Sequence, residues 1–190
     1  MSAARQAPVL LVDDRRENLT ALEAILQGLP VSTVAVTSGE GALKKLLTGE
    51  FAVILLDAQM PGMDGFETAQ HIKQRERTKH TPIIFLTAAD RDSHMAFRGY
   101  SVGAVDYITK PFDPWALRAK VSIFVDLWDR KERLNIEAAR MRTVEAERDR
   151  LRRLVAEAAR LLREGNGDRP PESVAAALAV LGRMDSGTGS

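Results

Sequence analysis

The chain has 190 residues, of which 45% are hydrophobic and 28% charged, as is typical of a globular protein with one sizeable core. It has no cysteine, which excludes disulfides, thiolate metal sites and a cysteine nucleophile. Its 27 Lys and Arg nearly balance its 26 Asp and Glu, which argues against nucleic acid or an anionic membrane as a partner. No apolar run resembles a secretory signal or approaches the roughly 18 residues of a membrane span, so we expect a cytoplasmic protein.

Short apolar runs alternate with segments of helical period along the first 120 or so residues. The predicted strands are 9–12, 31–36, 52–56, 83–86 and 105–108, and the predicted helices are 17–27, 41–47, 66–75, 93–100 and 115 onward. Five such repeats predict βα units around a parallel sheet. The strands are apolar nearly throughout, as expected where helices cover both faces. The sequence therefore predicts a doubly wound five-stranded α/β domain.

The composition changes after Pro114, because residues 115–164 contain neither Gly nor Pro and are rich in Ala, Arg, Glu and Leu. This predicts one extended helix of about 50 residues. Alternating steps of four and three from Ile123 reach twelve positions, of which nine are apolar, so a coiled coil is predicted. The positions are Ile123, Leu127, Arg130, Leu134, Glu137, Met141, Val144, Arg148, Leu151, Val155, Ala158 and Leu162.

Polar side chains follow four of the predicted strands. Asp13 and Asp14 follow the first, Asp57 the third, Thr87 the fourth and Lys110 the fifth. The carboxyl ends of parallel strands meet at one edge, where ligands of open α/β sheets bind. Three carboxylates there repel one another unless a cation neutralises them, and an all-oxygen cluster with few carboxylates suits Mg²⁺. With further positive charge from the lysine, one Asp can act as a nucleophile and form an aspartyl phosphate.

The combination of Asp13-Asp14, Asp57 in the stretch DAQMPGMDG, Thr87-Ala88 and Lys110-Pro111 resembles the receiver domain of bacterial two-component response regulators. The resemblance covers about residues 8–124. It implies a flavodoxin-like fold with strand order 2-1-3-4-5, a sensor histidine kinase as phosphodonor, and no enzymatic activity beyond self-catalysed phosphotransfer and autodephosphorylation.

The resemblance also assigns roles to particular residues. It implies that Asp57 is the phosphoacceptor, with Lys110 and Thr87 on the phosphoryl oxygens. Mg²⁺ would be held by Asp14, by Asp57, by Asp13 through water and by the main-chain carbonyl of Gln59. Thr87 would move inward on phosphorylation and Tyr107 would follow, which reshapes the face of the predicted fourth helix, fifth strand and fifth helix. The Lys110–Pro111 peptide bond would be cis.

Simpler interpretations exist for some of these carboxylates. Taken alone, Asp13 and Asp14 could be the N-terminal cap and first-turn acid of a helix. The presence of Asp57 and Lys110 at the same predicted sheet edge favours metal binding instead. Asp64 belongs to the same motif, but we predict that it caps the third helix in a capping box with Glu67.

Four segments are predicted: a tail (1–7), a receiver domain (8–124), an extended coiled-coil helix (125–164), and a linker with a possible short helix and a tail (165–190). The output has three interpretations. The first is a homodimer that forms through the C-terminal helix and signals to an unknown downstream protein. The second is a regulatory fragment whose helix leads to a missing enzymatic domain. The third, DNA binding, is disfavoured because residues 125–190 carry 13 basic and 12 acidic residues and show no helix-turn-helix pattern.

Overall fold

The structure is a computed structural model, and it describes residues 6–88 and 106–164. In chain order the described elements are β1 (Ala7–Val12), α1 (Arg16–Leu26), β2 (Val31–Val36), α2 (Gly39–Thr48), β3 (Val53–Asp57), α3 (Gly65–Gln74), β4 (Ile83–Ala88), β5 (Asp106–Lys110) and α4 (Pro114–Glu164). The helix predicted over 93–100 lies outside the described residues. Among these elements, no helix is both long enough and apolar enough to cross a membrane.

The five strands form one parallel sheet in the order β2-β1-β3-β4-β5. This confirms both the doubly wound fold and the strand order that the resemblance implied. The predicted strand over 31–36 matches β2, whereas β3 ends one residue later than predicted. The difference arises because Asp57 still pairs in register with Leu86 of β4, so this carboxylate belongs to the strand itself.

Apolar side chains cover both faces of the sheet, because successive residues of a strand point to opposite faces. On β1, Val9 and Leu11 belong to one buried cluster, while Leu10 and Val12 belong to the other. The buried ends of β1 and β3 are therefore held from both sides, which makes them rigid supports for the polar residues that follow.

The helices α1 and α3 begin shortly after the carboxyl ends of β1 and β3, and their N-termini are capped differently. The Asp64 side chain accepts a hydrogen bond of 2.7 Å from the Glu67 N–H, which confirms Asp64 as the cap of α3. By contrast, α1 is preceded by Arg15, whose side chain makes no capping hydrogen bond. Asp13 and Asp14 are therefore not the cap of this helix.

The chain divides into two compact units, residues 1–131 and 132–190. In the first unit, α4 contributes the buried side chains of Leu117, Val121 and Val125 to the core cluster that contains Val9. In the second unit, the described residues are helical, and Ala158 is buried with Leu154 and Leu161 packed against it.

Candidate functional site

The predicted site residues lie at the carboxyl ends of neighbouring strands. Val12 and Leu56 are in register, so Asp13 and Asp57, the residues that follow them, are adjacent at the sheet edge. Lys110 is the last residue of β5. The sheet therefore brings together residues that are far apart in sequence.

Asp13 is the most enclosed of the carboxylates, and none of its surface is exposed. Its Oδ1 accepts hydrogen bonds from the Arg15 N–H at 3.0 Å and from the Asn18 side-chain amide at 2.8 Å, and that amide also lies 3.0 Å from Oδ2. Lys110 Nζ donates to Oδ2 at 2.9 Å. A buried carboxylate needs such partners, and these fix its orientation towards the sheet edge.

Lys110 also contacts the second buried carboxylate. Its Nζ lies 3.2 Å from Asp57 Oδ1, so one ammonium group bridges Asp13 and Asp57. The Asp57 side chain is only 10% exposed, whereas that of Lys110 is 28% exposed. The cation therefore separates two carboxylates that would otherwise repel each other directly.

The pKa of the Asp57 carboxyl is raised above its ordinary value. Burial is the main cause, and the nearby negative charge of Asp13 adds to it. The positive charge and hydrogen bond of Lys110 and a hydrogen bond from the Gln59 N–H act in the opposite direction. Because the net shift is upward, the protein's own groups do not fully compensate the Asp57 charge.

The donor atoms of this edge fit a divalent cation. Asp13, Asp14 and Asp57 each offer a carboxylate oxygen, and these oxygens all lie within 4.8 Å of one another. Carboxylate oxygens are the ligands that Mg²⁺ prefers, and Asp14 is accessible to solvent, which leaves room for the waters that this ion retains. The acidic cluster (Asp13, Asp14 and Asp57) thus has the chemistry for Mg²⁺.

The loop after Asp57 is folded closely against it. The Gly65 N–H donates to the Ala58 carbonyl at 3.1 Å, and a Cβ on Gly65 would lie 2.1 Å from the Asp57 carbonyl oxygen. Gly62 has a φ of +76°, which side-chain-bearing residues rarely adopt. Two glycines of the DAQMPGMDG stretch are therefore needed for the backbone around the carboxylate.

The other predicted residues are placed as follows. Thr87 is buried near the end of β4, in register with Thr109 of β5. Tyr107 on β5 is 40% exposed. Gln59 is exposed, and its N–H donates a hydrogen bond to the Asp57 carboxylate. The Lys110–Pro111 peptide bond is cis, as the resemblance implied.

Sequence reasoning missed two supporting residues. Asn18 binds both oxygens of Asp13, and the signal available was an amide on the first turn of the helix that follows the Asp pair. Gly65 was recognised only as part of a motif, although a glycine directly after the helix cap Asp64 indicated a close backbone approach.

The fold and the acidic cluster define a doubly wound α/β protein with a lysine-bridged carboxylate site at the strand ends. A family model described as the response regulator receiver domain matches residues 9–122, more than half of the chain. The chain belongs to this family. The resemblance inferred from the four motif elements is thereby confirmed.

Individual relatives agree with this assignment. The chain is 35% identical over 113 residues to the alkaline phosphatase synthesis transcriptional regulatory protein PhoP of Bacillus subtilis, a match that covers 60% of this chain and 46% of PhoP. It is 36% identical over 115 residues to the response regulator PleD of Caulobacter vibrioides, covering 60% of this chain and 25% of PleD. The matches thus span less than half of either relative.

A solved structure shows the same fold. The chemotaxis protein CheY4 of Vibrio cholerae superposes with a TM-score of 0.58 at 30% identity, covering 63% of this chain and 98% of the CheY4 chain. Nearly all of the CheY4 chain therefore matches about two-thirds of this one.

Proposed function

We propose that this protein is a phosphorylation-dependent response regulator that accepts a phosphoryl group from a sensor histidine kinase on Asp57. The observation that carries the proposal is the position of the Asp57 carboxylate, which ends a buried strand within an acidic cluster and lies 3.2 Å from Lys110 Nζ. A carboxylate held in this way is a fixed nucleophile beside a fixed cation. We propose residues 8–124 as the extent of this receiver domain.

The reaction would be an in-line phosphoryl transfer. An Asp57 carboxylate oxygen attacks the phosphorus of a phosphohistidine, the P–N bond breaks, and the histidine ring leaves with the bonding electron pair. Lys110 Nζ would stabilise the charge on the transferred oxygens, and the Thr87 hydroxyl would donate a hydrogen bond to one of them. Mg²⁺, held by Asp14, Asp57, Asp13 through water and the Gln59 carbonyl, would neutralise negative charge on the phosphoryl group when bound.

Labelling with acetyl phosphate in the presence of Mg²⁺ tests this proposal without the cognate kinase. We expect one phosphoryl group per chain, located by peptide mapping on the peptide that contains Asp57, and no label on Asp57→Asn. Asp64→Asn is a matched control, because asparagine caps helices as well as aspartate and this variant should label normally. Label on another residue of the wild-type protein would contradict the assignment.

The proposed switch involves two residues of the neighbouring strands. We propose that Thr87 moves towards the phosphoryl group and that Tyr107 follows, since Thr87 lies on β4 and Tyr107 on the paired strand β5, which ends in Lys110. The variant Thr87→Ala lacks the hydroxyl group that would bind the phosphoryl oxygen. We expect Asp57 of this variant still to be labelled. Labelling should then change the hydrogen exchange of β5 less than it does in the wild-type protein.

For the output, we propose a homodimer formed by the extended helix over 125–164, which signals to a downstream protein. Its support is the exposure of large apolar side chains in the described part of this helix. Leu134, Met141 and Val144 are each about two-thirds exposed. Light scattering of the full chain tests this, with a dimer mass expected and a monomer under all conditions, including beryllium fluoride with Mg²⁺, contradicting it.

The alternative output is a connection to a further domain. The named relatives share the receiver but differ in their described roles, since PhoP is a transcriptional regulatory protein and CheY4 is a chemotaxis protein. The match covers less than half of PhoP and PleD, so the alternative is that the helix leads to an enzymatic or DNA-binding module. Reading the genomic frame beyond Ser190 distinguishes these possibilities.

A further inference from the structure

The second unit presents an apolar seam at coiled-coil spacing. Leu134, Met141, Val144 and Val155 occupy seam positions of the period-3.5 pattern, and each side chain is more than half exposed. Such a row of large apolar side chains on a helix is stabilised when a second helix covers it. The proposed dimer supplies a second copy of the same seam.

Two charged residues interrupt this seam. Which residue each of them faces in the partner depends on the direction of the second helix. Glu137 and Arg148 occupy seam positions between the apolar residues. In a parallel dimer in register, each would face its own counterpart, which places two carboxylates together in one layer and two guanidinium groups together in another. Like charges in facing core layers oppose association.

An antiparallel dimer removes both conflicts. When the pairing is centred between Arg142 and Thr143, Glu137 of one copy faces Arg148 of the other, and the same pair occurs twice by symmetry. The same register places Met141 against Val144 and Leu134 against Leu151. Between 134 and 151, every charged layer then has an opposite charge and every apolar layer has an apolar partner, whereas Val155 faces Arg130.

Other charges near the seam do not override this preference. Flanking residues offer opposite-charge pairs in both directions: Arg140 faces Glu147 in the antiparallel dimer and Glu145 in the parallel one. Arg148 lies 3.7 Å from Asp149 in its own chain, but both side chains are more than half exposed and such a pair contributes little. The seam charges therefore decide the direction.

We infer that the C-terminal helices of two copies pair antiparallel, with Glu137 of each copy bound to Arg148 of the other. This rests on the dimer in the proposed function and adds its orientation and register. The occupant of the exposed seam is thus a second copy of this chain.

Disulfide cross-linking of the full chain tests the orientation, because the native sequence has no cysteine. We expect that Leu134→Cys and Leu151→Cys do not cross-link when oxidised separately but form a disulfide dimer when mixed and allowed to exchange. In the antiparallel dimer the two positions 134 are 17 residues apart along the coil, or about 26 Å, whereas 134 and 151 are adjacent. Ala139→Cys, outside the seam, is the control and should not cross-link.

Cross-linking of each variant with itself would show a parallel dimer and overturn the orientation while the proposed dimer stands. A monomer by light scattering, with no cross-link in any mixture, would overturn the dimer itself. Neither result bears on phosphorylation of Asp57, which is read separately by acetyl phosphate labelling.

Charge reversal gives an independent readout of the same pairing. In the antiparallel dimer, Glu137→Arg or Arg148→Glu alone creates two repulsive layers, and each should weaken dimerisation by about tenfold or more. The double variant should recover the native dissociation constant. In a parallel dimer the single variants would leave like charges facing like charges and change little, a result that would overturn the inference. Arg142→Glu, outside the seam, is the control.

Discussion

Lys110 Nζ lies 3.2 Å from Asp57 Oδ1, so the proposed phosphoacceptor has a cation in direct contact. The same nitrogen is hydrogen-bonded to Asp13, which is completely buried. The ammonium group thus lies between two negative charges at the strand edge and offers a positive group to an incoming phosphoryl oxygen.

Replacing Lys110 by an uncharged residue should raise the pKa of Asp57 further and slow phosphorylation. In Lys110→Met the stem remains but the charge that lowers the Asp57 pKa is lost, so we expect acetyl phosphate labelling to slow by about 10²-fold or more. Carboxyl NMR titration would report the pKa change. Lys120→Met is the control, since Lys120 pairs with Asp106 away from the acidic cluster. Equal labelling rates for the two variants would refute this role of Lys110.

Divalent cation binding should stabilise the folded protein through the acidic cluster. We expect Mg²⁺ at about 100 times its dissociation constant to raise the free energy of unfolding by about 2.7 kcal/mol. Asp14→Asn removes one of the three carboxylates and should lose most of this gain, whereas Asp126→Asn on α4 should retain it. Urea unfolding with Mg²⁺ and with a chelator measures the effect, and a gain independent of Asp14 would argue against the predicted ligand set.

The close approach of Gly65 to Asp57 should make this glycine irreplaceable. Gly65→Ala places a Cβ 2.1 Å from the Asp57 carbonyl oxygen, so we expect a loss of about 1–3 kcal/mol in the free energy of unfolding and slower labelling. Gly49→Ala is the matched control, because its Cβ would meet no atom closer than 3.6 Å and its φ is −137°. A Gly65→Ala protein as stable as the Gly49→Ala protein would show that the loop can move aside.

Lys73 should make the stability of the folded protein depend on pH in the alkaline range. Its Nζ donates to the carbonyls of Lys79 at 3.0 Å and Thr81 at 2.9 Å, and burial lowers its pKa below the usual 10.5. The folded state therefore binds fewer protons than the unfolded state between the lowered pKa and 10.5, so this group adds stability as the pH rises through that window. A neutral amine can still donate both hydrogen bonds.

We expect the stability of the wild-type protein relative to Lys73→Met to increase as the pH is raised from neutral to about 10.5. Urea unfolding of both proteins across this range measures the difference. Lys73→Arg remains charged throughout and should show no such gain over Lys73→Met. A difference that is flat, or that falls with pH, would contradict burial of the ammonium group.

The sequence predicted β1, β3 and β4 well because each carries an unbroken apolar run that is buried, whereas the edge strands β2 and β5 are only partly buried. It also predicted which residues meet at the sheet edge, since parallel topology brings strand ends together whatever their separation in sequence. It did not predict that Asn18 would hold Asp13, because that contact depends on the rotation of α1 relative to β1. It likewise did not predict the exposure of Met141 on the extended helix, since apolar periodicity does not show whether a face is already covered.

We propose that phosphorylation of Asp57 is transmitted through Thr87 and Tyr107 to β5 and to α4, which share one buried cluster through Ile108 and Leu117. Hydrogen exchange of β5 and α4, measured with and without Mg²⁺ and beryllium fluoride as a phosphoryl mimic, tests it most directly. We predict altered protection in both elements of the wild-type protein and no change in Asp57→Ala. Unchanged protection of β5 and α4 in a wild-type protein that labels on Asp57 would contradict the account.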